Sequence, residues 1–196
     1  KADNLFTEIK ILSTNIPIER FYSKLDDEEI LIKLIELSDP KKENDTIFIW
    51  PESAIPNIDL NMLKYEYDYL LKKSFSKNHK IILGINDTKI KNDKQKYYNS
   101  LTVINYEGEV IYKYYKNKLV PFGEFLPLES ILSKIGLKSL TNNYQSYSAG
   151  SERKIFEFSN DSRIKILPLI CYEIIYSGNL AKNKNNDYNF IVNISE

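Results

Sequence analysis

The sequence predicts a mixed α/β domain, on three observations. Short apolar β-rich runs alternate with helix-spaced apolar residues through the first half, tight reversals join strand-like pairs in the second half, and the composition is that of a globular chain. Ile9 to Leu12 alternates like a strand. Asp26 and Asp27 then precede Ile30, Leu31, Leu34, Ile35 and Leu37, the spacing of an amphipathic helix with acidic N-terminal residues. Thr46 to Trp50 is a short buried-strand run stopped by Pro51. A second helix is expected over Leu60 to Phe75, a third buried strand over Ile81 to Ile85, and a polar loop from Asn86 to Lys96. This βαβαβ order calls for a sheet flanked by helices. Leu101 to Tyr106 and Val110 to Tyr114 then flank Glu107-Gly108-Glu109 as a hairpin, and Lys154 to Phe158 joins Arg163 to Leu167 through a second reversal. The long stretch from Leu119 to Gly150 holds a candidate amphipathic helix with Leu128, Ile131, Leu132, Ile135 and Leu140 on its apolar face.

Composition removes several classes of function. The chain has 196 residues, with 42% hydrophobic and 28% charged residues, enough for a core and too apolar for a disordered chain. Lys+Arg and Asp+Glu are both 27, so no global field draws it to nucleic acid or to anionic lipid. One Cys and one His exclude an internal disulfide and an ordinary zinc site, and no metal or cofactor is expected. The longest apolar stretches fall far below the roughly 18 residues that cross a bilayer. The first residue is Lys and the chain stops directly after the strand-like run Phe190 to Ile194, so the sequence reads as part of something longer.

Chemistry is offered at three places. Cys171 stands where Ile166 to Ile170 gives way to Tyr172-Glu173-Ile174-Ile175, a strand handing over to a helix. A thiol at a helix N-terminus has its pKa lowered, which suits a nucleophile, although a lone Cys also packs well as a small hydrophobe. His79 lies in the polar run Ser76 to Lys80 and reads as a solvated loop residue, so a base for the thiol would have to be a carboxylate. Glu52 follows Trp50-Pro51 at the end of a buried strand, where active-site groups of α/β sheets collect. The third place is Tyr115 to Pro127, where Lys116, Lys118 and Glu124 bracket an apolar turn. An ammonium there would stabilise an oxyanion, or the lysines would form a solvated basic strip.

Trp50 to Pro56, then Tyr98-Asn99-Ser100, then Lys116 to Pro127, then Cys171-Tyr172-Glu173, in this order and at these separations, resemble the apolipoprotein N-acyltransferases, a membrane-bound family within the nitrilase (carbon-nitrogen hydrolase) superfamily. The Leu119-Val120-Pro121-Phe122-Gly123-Glu124 stretch is the most specific element. The resemblance implies an αββα sandwich, incomplete at the C-terminus, with residues 1–196 a partial domain lacking the transmembrane helices that precede it in the family. It implies a Glu52, Lys116 and Cys171 triad, with Glu124, Tyr172, Glu173 and Tyr98 in supporting or substrate-binding positions. Tyr22 stands where relatives often carry Trp, and Lys118 where many carry His. The implied activity is transfer of an acyl chain from phospholipid, through a Cys171 thioester, to the N-terminal amine of a diacylglyceryl-cysteine lipoprotein. For the full-length family this takes place at the periplasmic face of the bacterial inner membrane. An oxyanion would be met by Lys116 and the Tyr172 N–H, and the Leu119 to Phe122 turn with the 128–140 helix would form a lid against acyl chains or the membrane surface. Two alternatives are a soluble amidase using the same triad with water, and an inactive truncated remnant.

Overall fold

The computed structural model describes residues 7–13, 27–91, 93–125, 127, 146–158, 161–175 and 187–195. Its elements run β1 (Glu8–Ile11), α1 (Asp27–Ser38), β2 (Thr46–Ile49), α2 (Leu60–Tyr65), α3 (Asp68–Ser74), β3 (His79–Lys91), β4 (Lys94–Asn105), β5 (Val110–Tyr115), β6 (Phe156–Phe158), β7 (Asp161–Ile170) and β8 (Phe190–Ile194). They build two sheets, one in the order β1-β2-β3-β4-β5 and one in the order β6-β7-β8. The βαβαβ opening is as expected: β1, β2 and β3 are parallel, because each is joined to the next through helix, and both expected hairpins are present as antiparallel pairs.

Strand alternation gives the larger sheet two apolar faces. Phe48, Ile81, Leu83, Ile85 and Ile104 pack with Leu31 and Leu34 of α1, Leu60 and Leu63 of α2 and Leu70 and Leu71 of α3. Ile47, Ile82, Leu101, Val103 and Tyr114 turn the other way, onto Phe158, Ile164, Ile166, Ile170, Val192 and Ile194 of the smaller sheet. Among the described residues the layers are therefore helix, sheet, sheet, and each fully buried side chain such as Phe48 contributes about 1.5 to 3 kcal/mol to holding them together. The helix expected over residues 128–140, its apolar residues included, and Tyr22 lie outside the described residues.

Three expectations are corrected. The helix from Leu60 to Phe75 is two helices, α2 capped by the Asp59 carboxylate on the Asn61 and Met62 amides, and α3 starting at Asp68. Asp59 is also bridged to Asn86 of β3, and the break at Glu66 and Tyr67 lets Leu70 and Leu71 reach the same core as Leu60 and Leu63. The polar stretch Asn86 to Lys96 is a long arm, with β3 and β4 paired out to Lys91 and Lys94. Its ladder of backbone hydrogen bonds needs no apolar face, and so left no apolar signal. His79 is fully buried: its Nδ1 accepts from the Ser76 amide at 3.1 Å, its Nε2 lies 3.0 Å from the Lys41 carbonyl, and its ring meets Phe48 and Phe75 edge-on. Burial lowers its pKa and keeps it neutral. It braces the start of β3 at the end of the sheet remote from the site described next.

Candidate active site

The site forms where the chain leaves β2, β4, β5 and β7. Trp50, directly after β2, is buried, and its indole N–H donates to Ser38 Oγ at 3.0 Å. This fixes the Pro51-Glu52 backbone as it crosses over β3 at Gly84. A Cβ on Gly84 would lie 2.4 Å from Glu52 Cα and 2.8 Å from the Pro51 carbonyl, so only glycine admits the crossing. Glu52 is 8% exposed and faces the space between the sheets.

Lys116 follows β5 by one residue and is 2% exposed. Its ammonium sits 2.8 Å from Glu124 Oε1 and 3.4 Å from Glu52 Oε1. Burial is the largest influence on this amine and disfavours its charge, but the Glu124 hydrogen bond and the charges of both glutamates outweigh it and hold the pKa above the ordinary lysine value. Glu124 is held in turn by the Val120 amide, which donates to Oε2 at 2.9 Å. Asn99 completes the group: 5% exposed, its side-chain NH2 donates to Glu52 Oε1 at 2.7 Å and to Glu124 Oε1 at 3.2 Å, while its carbonyl accepts the Lys116 amide at 2.9 Å.

Cys171 ends β7 in a left-handed backbone conformation, φ 52°, uncommon for a residue with a Cβ. Ser53 beside Glu52 and Phe122 in the turn before Glu124 also have positive φ, so three of the five such non-glycine residues described border this site. A single 3₁₀ turn over residues 171–175 follows, in place of the helix expected there, and the thiol behaves oppositely to expectation. Burial raises its pKa, the Glu52 charge pushes the same way and a hydrogen bond to Glu52 adds to it; Lys116 and the Tyr172 N–H oppose them. Cys171 is thus held towards its thiol form, with the Glu52 carboxylate beside it.

Glu173 ties this turn to the Lys116 loop. Its buried carboxylate accepts from the amides of Asn117 at 2.9 Å, Lys118 at 3.1 Å and Ile170 at 3.0 Å, and from the Tyr114 hydroxyl at 2.7 Å. Residues 146–150 cover the same end of the sheet. Tyr147 N–H donates to the Glu124 carbonyl and Gly150 N–H to the Lys116 carbonyl, each at 2.8 Å, and a Cβ on Gly150 would lie 2.2 Å from the Tyr115 carbonyl.

The structure thus brings Glu52, Lys116, Glu124 and Cys171 together, with Glu173 bracing them from behind and Tyr172, 55% exposed, next to Cys171 in the chain. Tyr98 is placed elsewhere. Residues directly opposite in an antiparallel ladder share a face, and Tyr98 is opposite Asp87 on the helix-facing side of the sheet, where its ring stacks on Tyr115 at 4.4 Å. Its expected place in the site is corrected: of the Tyr98-Asn99-Ser100 motif, Asn99 is the residue that reaches the charged cluster. The sequence reading missed Asn99, because an Asn within a strand carries no periodic signal. It also missed Tyr147, whose hydroxyl donates to Asn86 at 2.9 Å and whose pKa is raised by burial first and then by the charges of Glu124 and Glu52.

A two-sheet core with a thiol, two carboxylates and one buried ammonium gathered at its rim holds the groups that covalent catalysis by a cysteine requires. Residues 13–196 match the carbon-nitrogen hydrolase family, and the chain belongs to that family. Among solved structures it is similar to a nitrilase-superfamily amidase from Nesterenkonia, with TM-score 0.55 and 8% identity over 95% of this chain and 64% of that one. It is also similar to a glutamine-dependent NAD+ synthetase from Acinetobacter baumannii, with TM-score 0.55 and 17% identity over 87% of this chain and 29% of that one. These likenesses are of fold. Its similar curated sequences carry the name apolipoprotein N-acyltransferase: that of Wigglesworthia glossinidia brevipalpis is 34% identical over 96% of this chain and 37% of its own length. That of Rickettsia typhi is 34% identical over 97% of this chain and 37% of its own, and that of Bradyrhizobium diazoefficiens 31% over 96% and 36%. The chain spans little more than a third of these relatives. Among the described residues no helix is long and apolar enough to cross a membrane.

Proposed function

We propose that this chain is the acyl-transferring part of an apolipoprotein N-acyltransferase, with Glu52, Lys116 and Cys171 as its catalytic residues. One observation carries the reading: a buried Lys116 shared by Glu52 and Glu124, set against a Cys171 thiol whose proton Glu52 is placed to remove. In the first half-reaction Glu52 takes the thiol proton and the sulfur attacks the acyl ester carbonyl of a phospholipid. Two of the three Lys116 N–H donors are engaged by the glutamates, which leaves the third, with the Tyr172 N–H, for the oxyanion. Collapse expels the lysophospholipid oxygen, which takes the proton back from Glu52 and leaves a Cys171 thioester. In the second half-reaction the amine of a diacylglyceryl-cysteine attacks the thioester, Glu52 removes the amine proton, and the departing sulfur recovers it. The product is an amide-linked acyl chain. The bacterial inner membrane, with the site at its periplasmic face, is the setting that donor and acceptor require. Phe122, 71% exposed on the turn that carries Glu124, is placed to meet acyl chains.

Mass spectrometry of the chain incubated with phospholipid tests this directly. The expected result is an acyl adduct on Cys171 that a diacylglyceryl-cysteinyl peptide discharges. Discharge by water alone would assign an amidase, and no adduct from phospholipid or activated ester would overturn the reading. A second check uses the sign of the Cys171 shift. Because the Glu52 charge raises the thiol pKa, Glu52→Gln should lower the pH at which iodoacetamide alkylates Cys171. The same variant should form little Cys171 thioester, since nothing then carries the thiol proton to the leaving oxygen.

A further inference from the structure

Two carboxylates share one ammonium at this site, and a base that is to take a proton from a neighbouring sulfur needs its carboxylate held in one orientation. Asn99 is built into the position that does this. Both hydrogens of its amide are spent, one on Glu52 Oε1 at 2.7 Å and one on Glu124 Oε1 at 3.2 Å. The amide is aimed from a rigid element, because β4 is paired on both sides at this residue, with Asn86 opposite on β3 and its carbonyl holding the Lys116 amide.

The bonds also sort the two carboxylates. Asn99 and Lys116 both fall on Oε1 of Glu52, which leaves Oε2 to accept the thiol proton. Glu124 spends Oε1 on the same two donors and turns Oε2 to the Val120 amide, so both of its oxygens are tied to the loop that carries Lys116. We propose that Asn99 is a positioning residue for the base: with Lys116 it locks the Glu52 carboxylate by Oε1 and fixes Oε2 as the oxygen that moves protons. The proposal rests on the functional reading above and adds to it a residue that touches neither substrate nor sulfur.

Two reactions of Cys171 test it in the same chain. Acylation by an activated ester needs the base, whereas alkylation by iodoacetamide at high pH, where thiolate forms without one, does not. Asn99→Ala should slow acylation about tenfold and leave the high-pH alkylation at the parent rate, a split that a merely structural asparagine would not show. Asn99→Ser serves the same test if the alanine variant does not fold. Acylation at the parent rate, or an equal loss in both reactions, would overturn the proposal. A parent chain that is never acylated sinks the functional reading, whereas a parent and variant acylated alike sink only the role of Asn99.

Discussion

Tyr98 and Asn99 are neighbours in the chain that end on opposite sides of one sheet, and so do Tyr115 and Lys116. The result is two buried charged clusters back to back across the same strands. On the helix-facing side Asp87 is 3% exposed and is answered by the Lys113 ammonium at 2.7 Å and by the Tyr115 hydroxyl, with Lys89 over the Tyr115 ring at 4.8 Å. One carboxylate there meets one ammonium and one phenol, so the cluster is electrostatically closed and stiffens the root of the β3-β4 arm. On the other side two carboxylates meet one cation, beside a sulfur. The difference teaches that burial of charge marks a site only when the charges are left uneven: a matched cluster braces, and an under-neutralised one holds capacity to move a proton.

The comparison is broken most severely at Lys116. Lys116→Met leaves Glu52 and Glu124 with no cation, which should cost about 3 to 5 kcal/mol of stability. It should also slow Cys171 acylation by about 10² to 10³-fold through the lost oxyanion donor. Urea unfolding and acyl-adduct kinetics measure the two separately, and a variant that acylates at the parent rate would remove Lys116 from the mechanism. Next in size is Gly84→Ala, whose Cβ would drive the Glu52 backbone off β3. Misplacing the base by this much should cost about 10²-fold in acylation, with the circular dichroism of the folded chain retained. The smallest effect belongs to the closed cluster. Asp87→Asn should lower stability by about 1 to 3 kcal/mol in urea while leaving the acylation rate unchanged. A matching loss of rate would show that the two clusters are coupled and that the division drawn here is false.

How much of this was legible depended on whether the signal was local. Glu52 could be read because Trp50 and Pro51 end an apolar strand within a few residues of it, and Cys171 because β7 is apolar to its last residue. The Tyr98 and Asn99 assignment could not, since which of two adjacent residues faces the core follows from register against Asn86 and Asp87, a pairing across the sheet. His79 was misread for a similar reason. Its chain neighbours are polar, and the Phe48 and Phe75 rings that bury it arrive from β2 and from the residue ending α3. The direction of the Cys171 shift was missed because the expected helix dipole is replaced by a single 3₁₀ turn, which leaves burial and the Glu52 charge in command.

A sulfur that waits in its protonated form also has a bearing on durability. Peroxide and other oxidants react with the anion of a cysteine far faster than with the neutral group. By lifting the Cys171 pKa, burial and the Glu52 charge keep this sulfur chemically quiet, so on the proposed mechanism the cysteine would be spared between turnovers in a place where oxidation would be final.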